Sequence, residues 1–400
     1  MANSRPTILQ LIPRLETGGA EQATIDITSA LVKAGARALI ATEGGRLAAE
    51  VIQRGGEIVA LPMASKNPAV ILWNARRIAA LCRREMVNLI HARSRAPAWS
   101  GLIAARRLKI PFVTTYHGAY GGKSALKTWY NGVMARGDAV IANSLFTARL
   151  IAARHATPAG RLVVIPRGID LARFDPATIA PDRISALRSR WGLGPEQPFA
   201  VNAARLTSWK GQRVLIEAVG ILAKDGRLGK AAVVLAGDAQ GRDGYLEELK
   251  SLIRDLSLET QVVLAGHCED IPAAFLAASV SVIASTEPEA FGRVAAESLA
   301  VGTPVVTTDV GAPPETLATA PGRERLGWIV PPGDASALAT ALSEALAMPM
   351  EQRARLGREA RAHVAASFGL AVMQTSTLAV YDRLLGTALA TSAGLGARKA

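Results

Sequence analysis

Cysteine is all but missing from this chain: Cys82 and Cys268 are its two thiols in 400 residues, and they form no C-x-x-C or zinc-finger spacing. With 50% hydrophobic and 20% charged residues there is ample material for large cores, so disulfide staples are unnecessary. Both cysteines read as buried thiols, and a cytoplasmic location is expected. Long apolar runs are also lacking. Nothing reaches ~18 consecutive apolar residues, and the opening "MANSRPTILQLIPRLETGG" has a short apolar run broken by Pro13 and Arg14, too little for a signal peptide's h-region. No membrane span is expected.

Acidic residues are scarce in the first half. Residues 1–180 hold 24 Lys and Arg against 10 Asp and Glu, a balance of +14, whereas residues 181–400 hold 22 against 23, a balance of −1. Within the first half, residues 66–127 carry 12 basic side chains and a single acid, Glu85. Such a field attracts nucleic acid, anionic lipid surfaces or phosphorylated substrates. The basic half has no RNP, zinc-finger or clear helix-turn-helix signature, so no nucleic-acid partner is expected, although a basic nucleic-acid-binding protein stays a rival reading.

What the chain does have is alternation. Short β-branched runs alternate with amphipathic stretches throughout, the pattern of parallel sheets covered by helices, and the series occurs twice. Strands are expected at 7–12, 38–41, 57–61, 87–91, 111–115, 139–142 and 161–165, then at 199–203, 232–236, 261–265, 280–284, 304–307 and 328–330. Between the series, "DPATIAPDRISALRSRWGLGPEQP" places four prolines around one short helix and reads as a linker. At ~100 to 200 residues per domain, the expectation is two Rossmann-like α/β domains, 1–172 and 199–369, joined by 173–198. A last helix at about 370–388 suits either domain.

Ligands of open parallel sheets bind outside the carboxyl ends of strands. In "EPEAFGRVAAESLAVGTPVV" a strand-end loop carries Glu289, and the helix that follows carries Glu297, with Phe291 and Gly292 at the turn. A helix N-terminus attracts phosphate, so carboxylates beside it make sense only if they reach past it to accept hydrogen bonds from hydroxyls, such as the diols of a ribose and a sugar. On spacing alone two exposed acids are the commoner outcome.

The company of this stretch decides. "EAFGRVAAESLAVGTPVV" closely resembles the E-x7-E signature of retaining glycosyltransferases of family 4, which have the GT-B fold. "LETGGAEQ", "TTYHG", "VIANSLFTARLI", "VIPRGIDLARF", "AARLTSWKGQRVLIEAV", "VLAGDAQGRDGYLEELKSLI" and "TTDVGAPPE" match in order, so the resemblance spans about residues 7–385. It implies two parallel-sheet domains facing each other across a cleft, the first on the acceptor side and the second binding a nucleotide sugar, a UDP- or GDP-sugar, as substrate. Arg205 and Lys210 match the pair that meets the donor pyrophosphate, Glu297 the acceptor of the ribose diol, and Glu289 the acceptor of hydroxyls on the transferred sugar. Gly18 and Gly19 match the first glycine loop, and His117 the histidine that faces the donor sugar. His91, His155, His267 and His363 have no comparable support.

The same resemblance implies retention without an enzyme nucleophile, the departing phosphate oxygen taking the acceptor proton. No D-x-D occurs, so no metal and no cofactor are expected. Two departures stand out: Arg167 in "IPRGID", where many members carry asparagine, and Ala312 in "VGAPPE", where a second glycine is common. Asp170 and Glu315 fall at recurrent positions that suit structural roles equally well. In "GGKSALKTWYNGVMARGD" Lys123, Lys127, Trp129, Tyr130 and Arg136 interleave cations with aromatics, which suits an anionic membrane interface, unless Trp129 and Tyr130 pack in the core. A glycolipid or phosphorylated glycan acceptor, as in envelope or lipopolysaccharide synthesis, and a peripheral position on the inner face of the membrane follow as expectations. A noncatalytic sugar-nucleotide sensor is the other rival.

Overall fold

The computed structural model describes residues 5–16, 18–118, 124–319 and 325–394. The chain divides into two units, Met1–Gly168 together with Leu370–Ala400, and Ile169–Gly369.

The first unit is built on seven parallel strands: β1 (Thr7–Leu11), β2 (Arg37–Thr42), β3 (Glu57–Ala60), β4 (Val87–Ala92), β5 (Phe112–Tyr116), β6 (Ala139–Ala142) and β7 (Leu162–Val164), in the order β3-β2-β1-β4-β5-β6-β7. The second has six parallel strands: β8 (Phe199–Ala203), β9 (Ala232–Ala236), β10 (Val262–Gly266), β11 (Val280–Ile283), β12 (Val305–Thr308) and β13 (Gly327–Val330), in the order β10-β9-β8-β11-β12-β13. All thirteen expected strands are present, and both sheets are wholly parallel.

Parallel strands covered on both faces must be apolar on both, and the alternation is visible residue by residue. Phe199 and Val201 of β8 and Val234 of β9 enter one core of the second unit, while Ala200, Val233 and Leu235 enter the core on the opposite face. In the first unit Leu9 and Leu11 of β1 face one core and Ile8 the other. Each fully buried Leu or Phe contributes about 1.5–3 kcal/mol of burial.

The segment 173–198 carries the helix Pro181–Arg190, and its Phe174, Ile179, Leu187 and Trp191 lie in the core of the second unit. The last long helix, Leu370–Leu385, packs in the first unit, where Tyr381 is fully buried. Among the described residues no helix is long and apolar enough to cross a membrane. Cys82 is buried, which pushes its thiol up to about 12, and Cys268 is half-buried.

In each sheet the strand order reverses once, between β1 and β4 and between β8 and β11. Crevices at the carboxyl ends open at such reversals. The loops after these strands therefore locate the chemistry.

Candidate functional site

In the second unit, β8 runs into a loop carrying Arg205, then a turn over Ser208–Lys210, then the helix Gln212–Lys224. Arg205 is exposed and meets no carboxylate among the described residues. The amide of Thr286 donates to the Trp209 carbonyl at 2.8 Å, pressing the turn against the end of β11. Lys210 is thereby placed with its Nζ 2.7 Å from Glu289 Oε1 and 4.4 Å from the centre of the Trp209 ring. Ser285 Oγ donates to the same Glu289 oxygen at 2.5 Å. The two expected site residues from different loops are thus in contact.

Glu289 is fixed from behind by the loop after β12. Its backbone forms an isolated bridge with Gly311, and the Ala312 amide donates to its carbonyl at 2.9 Å. Gly311 has φ +78°, and a Cβ there would lie 2.5 Å from both the Glu289 nitrogen and oxygen. Gly311→Ala is therefore expected to displace Glu289 and lower kcat by about 10²-fold, as a ~1 Å misplacement does, with a lower Tm. Unchanged kcat in that variant would show that the loop does not set the carboxylate's position. Ala312, by contrast, is buried in an ordinary helical conformation at φ −91° and has no need of glycine's freedom.

Glu297 sits in the helix Arg293–Val301, where Arg293 of the same face donates to Oε1 from Nε at 3.0 Å and Nη2 at 2.7 Å. Its Oε2 has no protein partner among the described residues. Gly292 caps that helix with φ +75°. Phe291 points away from the loop into the core, its ring 5.9 Å from Phe368. One strand-end region thus offers three cations, Arg205, Lys210 and Arg293, two carboxylates and a helix N-terminus, a set suited to a ligand that carries both phosphate and hydroxyls.

In the first unit, Gly18 caps the helix Gly19–Lys33 after β1. The Gly19 carbonyl accepts from the Arg167 guanidinium, and a Cβ on Gly19 would lie 2.5 Å from Arg167 Nη1. Arg167 also places Nη2 2.8 Å from His117 Nδ1. A guanidinium has no acceptor, so Nδ1 must accept and the imidazole proton sits on Nε2. That nitrogen has no hydrogen-bond partner among the described residues. Burial, then the Arg167 charge, holds His117 well below the usual histidine range. His117 is therefore a neutral imidazole that carries its proton on Nε2.

Two residues that sequence reasoning passed over complete this edge. His91 at the end of β4 spans Tyr381 Oη, 2.6 Å from Nδ1, and Thr115 Oγ1, 2.7 Å from Nε2. Buried Arg93 reaches Gln10 Oε1 from Nε at 2.9 Å and from Nη2. His91 lies near the carboxyl end of β4 and Arg93 just after it, at the sheet's reversal, so a search of strand ends would have found both. Elsewhere, Asp170 accepts from the Ala172 amide in a local turn, and His363 packs edge-on against Phe368.

Residues 17–173 match the family model described as Glycosyltransferase Family 4, and residues 184–363 match that of Glycosyl transferases group 1. A D-inositol 3-phosphate glycosyltransferase of Xylanimonas cellulosilytica is 31% identical over 290 residues, covering 69% of this chain and 67% of that protein. The crystal structure of a glycosyltransferase from Rickettsia africae is 31% identical, with a TM-score of 0.87 over 96% of this chain and all of that one. The structure of Anabaena HepE in complex with UDP shares the fold at 24% identity, with a TM-score of 0.81 over 94% of this chain and all of that one.

Proposed function

The chain belongs to the family 4 glycosyltransferases, the glycosyl transferases group 1, with the GT-B fold, and from that premise we propose that it is a retaining enzyme moving a hexose-type sugar from a UDP- or GDP-sugar. The acceptor is a phosphorylated or lipid-linked glycan of envelope or lipopolysaccharide synthesis, met at the inner face of the cytoplasmic membrane. The observation that carries the reading is the Lys210–Glu289 pair at the reversal of the second sheet, with exposed Arg205 on the same loop.

Arg205 and Lys210 stabilise the negative charge that develops on the diphosphate as its bond to the anomeric carbon breaks, and they need no proton transfer to do so. Glu297 accepts from the ribose diol through Oε2, and Glu289 accepts from sugar hydroxyls. His117 donates its Nε2–H to the sugar. The acceptor oxygen bonds to the anomeric carbon on the face the phosphate leaves, and its proton passes to the departing phosphate oxygen. With two cations at the diphosphate, Lys210 held by Glu289 and Arg205 free to reach the ligand, the reaction proceeds without a divalent ion. The phosphate in the name of the Xylanimonas relative and the +14 balance of the first 180 residues support an anionic acceptor.

Thermal shifts in EDTA with UDP, GDP, ADP and their sugar conjugates test this. A ligand at ~100 times its Kd stabilises by about 2.7 kcal/mol, and Glu297→Ala and Arg205→Ala should each abolish most of that gain. Stabilisation by none of them in a folded protein would sink the donor assignment. The anomeric configuration of the product, read by NMR, decides retention.

A further inference from the structure

The helices Pro68–Arg84, Arg95–Leu108 and Ala125–Asn131 of the first unit surround an open groove of about 610 Å³. Ile71 and Trp99 lie at its base, and Leu72, Ile103, Leu126 and Trp129 form its sides. Those sides are not covered by the protein: Leu126 is 75% exposed, Leu72 55% and Trp129 54%. Large apolar side chains gathered in one exposed groove mark an interaction site rather than scattered surface residues. Trp129, left open above between membrane interface and core, stacks on Trp99 at 4.6 Å between ring centres and stays half in solvent.

The rim is cationic. Lys66 and Lys127 line the opening, and the Arg136 guanidinium lies 5.1 Å from the Trp99 ring centre and 5.8 Å from that of Trp129. The one acid between residues 66 and 127, Glu85, is held by Arg37 at 2.8 Å and Arg84 at 2.7 Å, so it neutralises none of this rim. Lys123 lies outside the described residues. An occupant must therefore offer hydrocarbon to the groove and negative charge to its edge. An anionic lipid carries both on one molecule, whereas a protein partner would need an apolar ridge flanked by acids.

We infer that this groove seats an acyl chain of an anionic membrane lipid and so docks the first unit on a bilayer. A single inserted chain binds only marginally, and a basic patch beside it is the second signal that makes attachment stable. Thr114 Oγ1 donates to the Met134 carbonyl at 2.5 Å, which ties β5, ending just before His117, to the segment that follows the groove-lining helix Ala125–Asn131. The inference rests on the lipid-side acceptor reading above for its purpose, though not for its binding event.

The test uses the full chain with vesicles of phosphatidylcholine alone or mixed with phosphatidylglycerol, the acyl chains brominated. The parent should bind the anionic vesicles, with tryptophan emission quenched by the acyl bromines. Leu72→Ser/Leu126→Ser removes exposed side chains only and keeps Trp99 and Trp129 as reporters. It should lower vesicle affinity at least tenfold and abolish the quenching, with thermal unfolding unchanged. Equal binding and quenching in that variant, with loss only in Lys66→Gln/Lys127→Gln, would overturn the groove in favour of a charge-only surface. A parent that ignores both vesicles would overturn it in favour of a protein occupant. Nucleotide-diphosphate thermal shifts on the same proteins separate the two readings: vesicle binding without nucleotide binding would sink the transferase site and leave the groove standing.

Discussion

Lys210→Ala is expected to lower kcat by about 10²- to 10³-fold, the loss seen when one preorganised charge-stabilising donor is removed from an active site. It should also destabilise the second unit. The Lys210 and Glu289 side chains are 13% and 12% exposed and 2.7 Å apart, so the lysine compensates a carboxylate largely withdrawn from water. Without it, Glu289 keeps only the Ser285 hydroxyl on its paired oxygen. Breaking a fully buried pair costs ~3–5 kcal/mol, and the residual exposure here brings the expectation to about 2 kcal/mol. Adding Glu289→Ala to Lys210→Ala should restore most of the stability and none of the activity, which separates the two roles of the lysine. Steady-state kinetics and urea unfolding on the two single variants and the double provide the check, and a Lys210→Ala enzyme with parental kcat would remove the residue from the mechanism.

Mild acid should destabilise the first unit more than any single substitution on its surface. His91 and His117 are both held well below the usual histidine range, His91 by burial and then the charge of Arg93, His117 by burial and then the charges of Arg167, Arg93 and His91. Above about pH 6.5 both are neutral folded and unfolded, and neither affects stability. As the pH falls below that value these two sites take up protons in the unfolded chain that the folded one refuses, so stability drops, and His155, lowered by partial burial, acts in the same direction. Each group contributes a slope of about 1.4 kcal/mol per pH unit, roughly 2.7 for the pair. The depressed carboxylates, among them Glu57 with Arg37 and Asp270 with Arg183, lose their contribution only as the pH falls further, below about 4.5. Unfolding followed from neutral pH to about 5 should show the decline, and His117→Gln should reduce its slope by about 1.4 kcal/mol per pH unit. A flat profile would mean that both histidines titrate normally in the folded protein.

Both sheets were legible because strands buried on both faces, such as those of Phe199, Ala200 and Val201 or of Ile8 and Leu9, are written as short continuous apolar runs of neighbouring residues. The strand-end rule likewise led to the loop of Glu289, whereas Arg205 and Lys210 stand out through the family resemblance, and His117 through that resemblance together with its place at a strand's end. Contacts between distant loops were not legible. Nothing local tells Lys210 that its nearest oxygen belongs to Glu289, or Arg167 that it closes on His117 across 50 residues. Phe291 was read as part of the turn beside a ligand, and the turn is there, but the ring itself fills the core beside Phe368. Arg167 stood out as a departure from a familiar motif, yet its effect, setting which imidazole nitrogen carries the proton, requires the 2.8 Å contact to be seen.

The placement of Tyr381 shows the same limit at its extreme, since its partner His91 lies 290 residues earlier. The chain leaves the first unit at Gly168 and re-enters it at Leu370, so the earlier unit in sequence is the later one to be completed. During synthesis the stretch Ile169–Gly369 can close its own cores while His91 and the apolar face of Ile8, Leu89 and Val113 still wait for Met373, Leu378 and Tyr381. The ribosome therefore releases a chain whose amino-terminal sheet is covered last. The part of the molecule richest in positive charge and exposed hydrocarbon is also the part that spends longest unfinished.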